Sequence, residues 1–114
     1  VAGAKALREF LDTSISQKIT MIFGAMGDKN LTEIAGIIFP QAQNLILTVP
    51  ENPRSMPIFE LKNFVPQNFK GKIFEAETVV EAIEKATEIS LEDEIILVTG
   101  SLYLIGEAQK VLKK

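Results

Sequence analysis

Four short apolar runs, each followed by a stretch with helical spacing, leave this chain very few ways to fold. They lie at residues 18–23 (Lys-Ile-Thr-Met-Ile-Phe), 44–49 (Asn-Leu-Ile-Leu-Thr-Val), 72–76 and 95–98 (Ile-Ile-Leu-Val). The fourth is continuously apolar, which predicts a strand covered on both faces, as in a parallel sheet, and the first shows little apolar/polar alternation, which places it inside the sheet. The run at 72–76 is weaker and is expected near a sheet edge.

Helical spacing fills the gaps. Residues 1–11 place Ala2, Ala6, Leu7, Phe10 and Leu11 on or near one face, and residues 12–17 read as a connection. Asn30-Leu31-Thr32-Glu33 and Thr78-Val79-Val80-Glu81 each have the form of a capping box. Pro40 stops the first of these two helices. The second runs to about Ile89, with Val79, Val80, Ile83 and Ala86 inward and Glu81 paired with Lys85 on the outside. A short helix is expected over 56–63, with Pro57 in its first turn, and a closing helix over 102–112. The order α-β-α-β-α-β-α-β-α predicts βαβ units with right-handed crossovers. The expected fold class is therefore α/β: one three-layer, Rossmann-like, doubly wound and mainly parallel sheet over residues 1–114.

In such a sheet, ligands bind beyond the carboxyl ends of the strands, where the strand order reverses. Two loops there carry glycines. Residues 24–29 (Gly-Ala-Met-Gly-Asp-Lys) follow the first strand, and Thr99-Gly100-Ser101 follow the fourth. If the first three strands step one way and the fourth crosses back, these loops face each other. Gly24, Gly27 and Gly100 would then supply turn backbone close to a ligand. Ser101 stands at the N-cap position of the last helix, beside amides that have no intrahelical partner and favour an anion. Ser101 can be a plain cap or can also turn its hydroxyl to a carboxylate. Lys29 is a solvated side chain or a point charge for that anion. Arg54, in the two-proline loop 50–55, is an exposed residue or a bidentate carboxylate clamp. Tyr103 reads as half-buried packing, and Glu92, Asp93 and Glu94 as a solvated approach to the fourth strand.

Composition narrows the chemistry. The chain has no Cys and no His, so it contains no thiol nucleophile, no Cys/His zinc site and no histidine triad. No catalytic residue and no metal ligand is expected in it. The glycine loop is neither a Walker A motif nor GxGxxG. A net charge of −3 argues against nucleic acid or an anionic membrane as partner. No run approaches the ~18 apolar residues of a membrane span. The lack of cysteine fits a cytoplasmic protein.

Three stretches in order carry a family resemblance: Phe23-Gly24-Ala25-Met26-Gly27-Asp28-Lys29, Asn52-Pro53-Arg54-Ser55, and Leu97-Val98-Thr99-Gly100-Ser101-Leu102-Tyr103-Leu104-Ile105-Gly106-Glu107. Over nearly its whole length the chain resembles the C-terminal domain of folylpolyglutamate synthase and bifunctional dihydrofolate synthase, of the Mur ligase superfamily. The resemblance implies an ATP-dependent amide-bond ligase. A substrate carboxylate, of folate or dihydropteroate, becomes an acyl phosphate, and the amino group of L-glutamate attacks it. It also implies that ATP and Mg²⁺ are held mainly by an N-terminal ATPase domain of the same polypeptide, absent here with its P-loop. In the family an Asp-Gly-Ala-His-Asn stretch precedes the position of Val1. The chain, starting inside a helical pattern, is thus expected to be a fragment, inactive alone and belonging to a monomeric cytoplasmic enzyme. By match to family positions, Ser101, then Lys29, then Arg54 are the expected glutamate contacts. Two other readings compete: a stand-alone Rossmann-like binding or regulatory module, and a phosphoacceptor receiver. The receiver is disfavoured because neither of the first two strands ends in an exposed acid.

Overall fold

The computed structural model describes residues 2–27 and 30–113. Five helices alternate with four strands: α1 (Ala2–Ser14), β1 (Ile19–Phe23), α2 (Leu31–Ile38), β2 (Asn44–Thr48), α3 (Ile58–Leu61), β3 (Lys72–Ala76), α4 (Val79–Ile89), β4 (Ile95–Thr99) and α5 (Leu102–Leu112). All strand pairs are parallel, in the order β3-β2-β1-β4. The chain steps outward from β1 to β3 and returns to the other side of β1. The order therefore reverses between β1 and β4, whose register sets Phe23 beside Thr99.

Alternation along each strand divides the core in two. Met21, Phe23, Leu45 and Leu47 pack with Leu11, Leu31, Ala35, Ile38 and Leu61 from α1, α2 and α3. Ile22 and Ile46 point to the other face, against Val79, Ala82, Ala86, Leu104 and Ala108 from α4 and α5. The alanines there let both helices lie close to the sheet. Burying each large aliphatic side chain contributes about 1.5–3 kcal/mol. Phe23 meets Phe39 edge-on, with ring centroids 4.9 Å apart, a geometry worth about 0.5–1.5 kcal/mol beyond area. At the amino ends of the strands, the buried Thr20 hydroxyl accepts hydrogen bonds from Asn44 Nδ2 at 3.2 Å and Ser90 Oγ at 2.9 Å.

Several local expectations are corrected. β4 is an outer strand of the described sheet and only half covered, with Ile96 42% exposed. A run of apolar residues reports their hydropathy but not how many strands flank them. α1 extends to Ser14 and turns Leu7 and Leu11 inward, leaving Ala6 and Phe10 in solvent. Asn30 makes no cap bond; its Nδ2 donates to Glu33 Oε1 instead. Thr78 does cap α4, accepting from the Glu81 amide at 3.1 Å. Val80 faces out, with Ala82 taking the inward position. Lys85 pairs with Glu88 at 3.8 Å and lies over the Phe74 ring, so it does not pair with Glu81. α3 is a single turn continued by a 3₁₀ turn, and Pro57 is its N-cap residue, outside the first turn.

Candidate functional site at the carboxyl ends of the strands

The two glycine turns touch. Gly100 has φ +121°, a conformation that side-chain-bearing residues rarely adopt. A Cβ placed on it would overlap the Gly24 carbonyl. A Cβ on Gly24 would in turn lie 2.8 Å from the Thr48 carbonyl oxygen and 3.0 Å from Pro50 Cδ. The ends of β1, β2 and β4 thus converge backbone to backbone, and only residues without a side chain permit it.

A second set of contacts fixes the loop after β2. The Gly27 amide donates to the Arg54 carbonyl at 3.0 Å, and the Met56 amide to the Ala25 carbonyl at 2.8 Å. Met26 and Ser55 form an antiparallel bridge between them. Within the loop, Asn52 Oδ1 accepts from the Arg54 amide at 2.9 Å, an Asx turn that gives the Asn-Pro-Arg order a structural purpose. Ser55 Oγ donates to the Pro50 carbonyl at 2.7 Å. Arg54 is thus mounted on a backbone laced to the β1 loop.

Ser101 is buried, and its Oγ accepts the Leu104 amide at 3.0 Å, capping α5. A serine hydroxyl that accepts one hydrogen bond still has its O–H to donate. Ser101 lines a cleft of about 320 Å³ with Thr99, Leu102 and Ile105 on one side and Ala4, Leu7, Ile34 and Ile38 on the other. Among the described residues those walls carry no cationic side chain, and Arg54 is not among them. Lys29 lies outside the described residues. The structure therefore brings Gly24, Gly27, Gly100 and the Arg54 backbone into one connected set of loops. It joins Ser101 to that set through Gly100.

Tyr103 is 58% exposed beside Leu102 at 84%. The first turn of α5 turns Leu104 into the core and Tyr103 out to solvent, so Tyr103 is not the half-buried packing residue expected. Glu94 accepts the Leu91 amide at 2.8 Å, closing the turn into β4. Among the described residues, no group of His, Cys, Asp or Glu is placed to hold a metal ion. None of the helices is long and apolar enough to cross a membrane. A hollow of about 700 Å³ sits at the opposite end of the sheet around Lys18, Lys70 and Lys72. One contact had no signal in the sequence: Glu107 on α5 accepts the Glu51 amide at 2.7 Å.

A profile described as "Mur ligase, glutamate ligase domain" matches residues 1–102. The chain belongs to that family. Solved structures similar to this glutamate ligase domain include folylpolyglutamate synthases. One from Mycobacterium tuberculosis, complexed with ADP and AMPPCP, is 24% identical with a TM-score of 0.88, over 99% of this chain and 28% of that one. One from Thermotoga maritima is 26% identical with a TM-score of 0.80, over 99% and 25%. E. coli FolC in complex with DHPP and ADP is 16% identical with a TM-score of 0.86, over 98% and 26%. The chain thus spans about a quarter of the length of these structures. A search of curated proteins gives no match.

Proposed function

We propose that this domain is the part of an ATP-dependent amide-bond ligase that helps hold the incoming L-glutamate and closes over the active site. The acceptor is folate or dihydropteroate, activated as an acyl phosphate. The observation that carries the reading is the contact between the Gly24 and Gly100 turns at the strand-order reversal, in a chain of the glutamate ligase family. The contact sets Ser101 and the first amides of α5 beside the loop that leads to Lys29.

The roles follow from the donors. The Ser101 O–H offers one hydrogen bond to a glutamate carboxylate, and the Leu102 and Tyr103 amides have no intrahelical partner. The described residues of the Ser101 cleft bring no positive charge, and Lys29 and Arg54 are assigned the neutralisation of the two carboxylates. The solved relatives include complexes with ADP and AMPPCP, and one with AMPPNP and Mn ion. ATP and Mg²⁺ are assigned to the remainder of the polypeptide, since the glycine loop here is not a Walker A motif. That remainder is also assigned the groups that make and consume the acyl phosphate. It is assigned to the cytoplasm and acts as a monomer.

The test is incorporation of labelled glutamate into folate or dihydropteroate by the polypeptide carrying this domain, with ADP release measured in parallel. Glutamate-dependent ADP release matched by amide product supports the reading, whereas ADP release indifferent to glutamate contradicts it. Turnover by the 114-residue chain alone would refute the division of labour.

A further inference from the structure

We infer that Glu107 is a positioning residue, which latches the Arg54 loop to the helix that Ser101 begins. The inference rests on the glutamate-binding reading above and adds a residue to it.

Glu107 lies on α5, held against the sheet by Leu104 and Ala108, 0% and 4% exposed. Its Oε1 accepts the Glu51 amide at 2.7 Å, joining residues 56 positions apart. A hydrogen bond to a carboxylate is shorter and stronger than one between neutral groups. Glu51 follows Pro50 at the start of the loop 50–55, whose far half is already tied to the β1 loop through Arg54 and the adjoining Met56. Its near half has one described side-chain tie to a separate element, and that tie is Glu107.

The bond closes a ring. The β1 loop touches Gly100 through Gly24, Gly100 leads into Ser101 and α5, α5 holds Glu51, and Arg54 returns to the β1 loop through Gly27. With Glu107 in place, the distance from the Arg54 loop to the N-terminus of α5 is set by a rigid helix. Without it, the Arg54 backbone keeps its ties to the β1 loop, but Glu51 and Asn52, between Pro50 and Pro53, lose their link to α5, and the loop that carries the Arg54 side chain is held less closely to the helix that Ser101 begins. Glu107 touches no reacting atom; it acts through Arg54.

The test uses the polypeptide carrying this domain, with Glu107→Ala and Glu107→Gln. Glutamine keeps an acceptor oxygen at the same reach. In Glu107→Ala, exchange of the Glu51 amide is expected to speed up about tenfold. KM for glutamate is expected to rise about fivefold, with KM for ATP unchanged. Glu107→Gln is expected to restore most of both. Unchanged Glu51 exchange in Glu107→Ala overturns the latch. Faster exchange with an unmoved glutamate KM overturns the positioning role. So does a parallel rise in both KM values that glutamine does not reverse. A wild-type polypeptide that adds no glutamate refutes the ligase reading and the kinetic half of this inference together; exchange at Glu51 still decides the latch.

Discussion

Gly24 and Gly100, 76 residues apart in sequence, are in backbone contact so close that a Cβ on Gly100 would overlap the Gly24 carbonyl. Gly100→Ala must overlap the Gly24 carbonyl and also hold φ near +121°. Strain of this kind and overpacking each cost about 1–3 kcal/mol. The expected loss is about 3 kcal/mol or more in denaturant unfolding. Gly36→Ala, with nothing within 4 Å of its Cβ, is the control and should stabilise α2 by about 0.5–1 kcal/mol. Equal effects at both positions would contradict the packed-turn account.

Ser101 is expected to show two separable roles. Ser101→Ala removes the acceptor for the Leu104 amide and should cost about 1 kcal/mol of stability. Ser101→Asp retains an acceptor, favoured by the helix dipole, yet places a negative charge where a carboxylate is to bind. Its unfolding midpoint should lie above that of Ser101→Ala, while its glutamate KM lies well above it too. A variant whose binding follows its stability would reduce Ser101 to a cap.

Thr20 joins Asn44 and Ser90 at the amino ends of the strands. Thr20→Val leaves both partners without their acceptor in a buried position. The expected cost is about 1–3 kcal/mol, with Ser90→Ala milder because it removes a donor together with its demand. Unfolding of the single and double mutants should show that the two effects do not add.

Thr48 Oγ1 is buried and has no hydrogen-bond partner among the described residues. Thr48→Val keeps the shape and removes the unmet polar group, so it should be neutral or stabilising by about 1 kcal/mol. A loss of that size would show that the hydroxyl has a partner, a bound water included.

Legibility in the sequence followed the range of the interaction. Element order, the parallel sheet and the edge position of β3 were all readable, because hydropathy period and turn residues are local signals. The meeting of the Gly24 and Gly100 turns was readable as well, once the fourth strand was placed beside the first. What failed was set by neighbours in space. Ile96 sits in an apolar run but on a half-covered strand, and Lys85 chose Glu88 and the Phe74 ring over Glu81. Asn30 and Thr78 begin capping-box patterns of the same form, yet only Thr78 turns its oxygen to the backbone. Glu107 ends a stretch that carries the family resemblance, but its contact had no signal, since its partner is a backbone amide supplied by a distant loop.

The most direct test of the central claim is steady-state kinetics of Ser101→Ala in the polypeptide that carries this domain. The account predicts a glutamate KM raised about tenfold, the size of one lost hydrogen bond to a charged group, with the KM for ATP within about twofold of wild type. An unchanged glutamate KM, or a change confined to ATP, would contradict it.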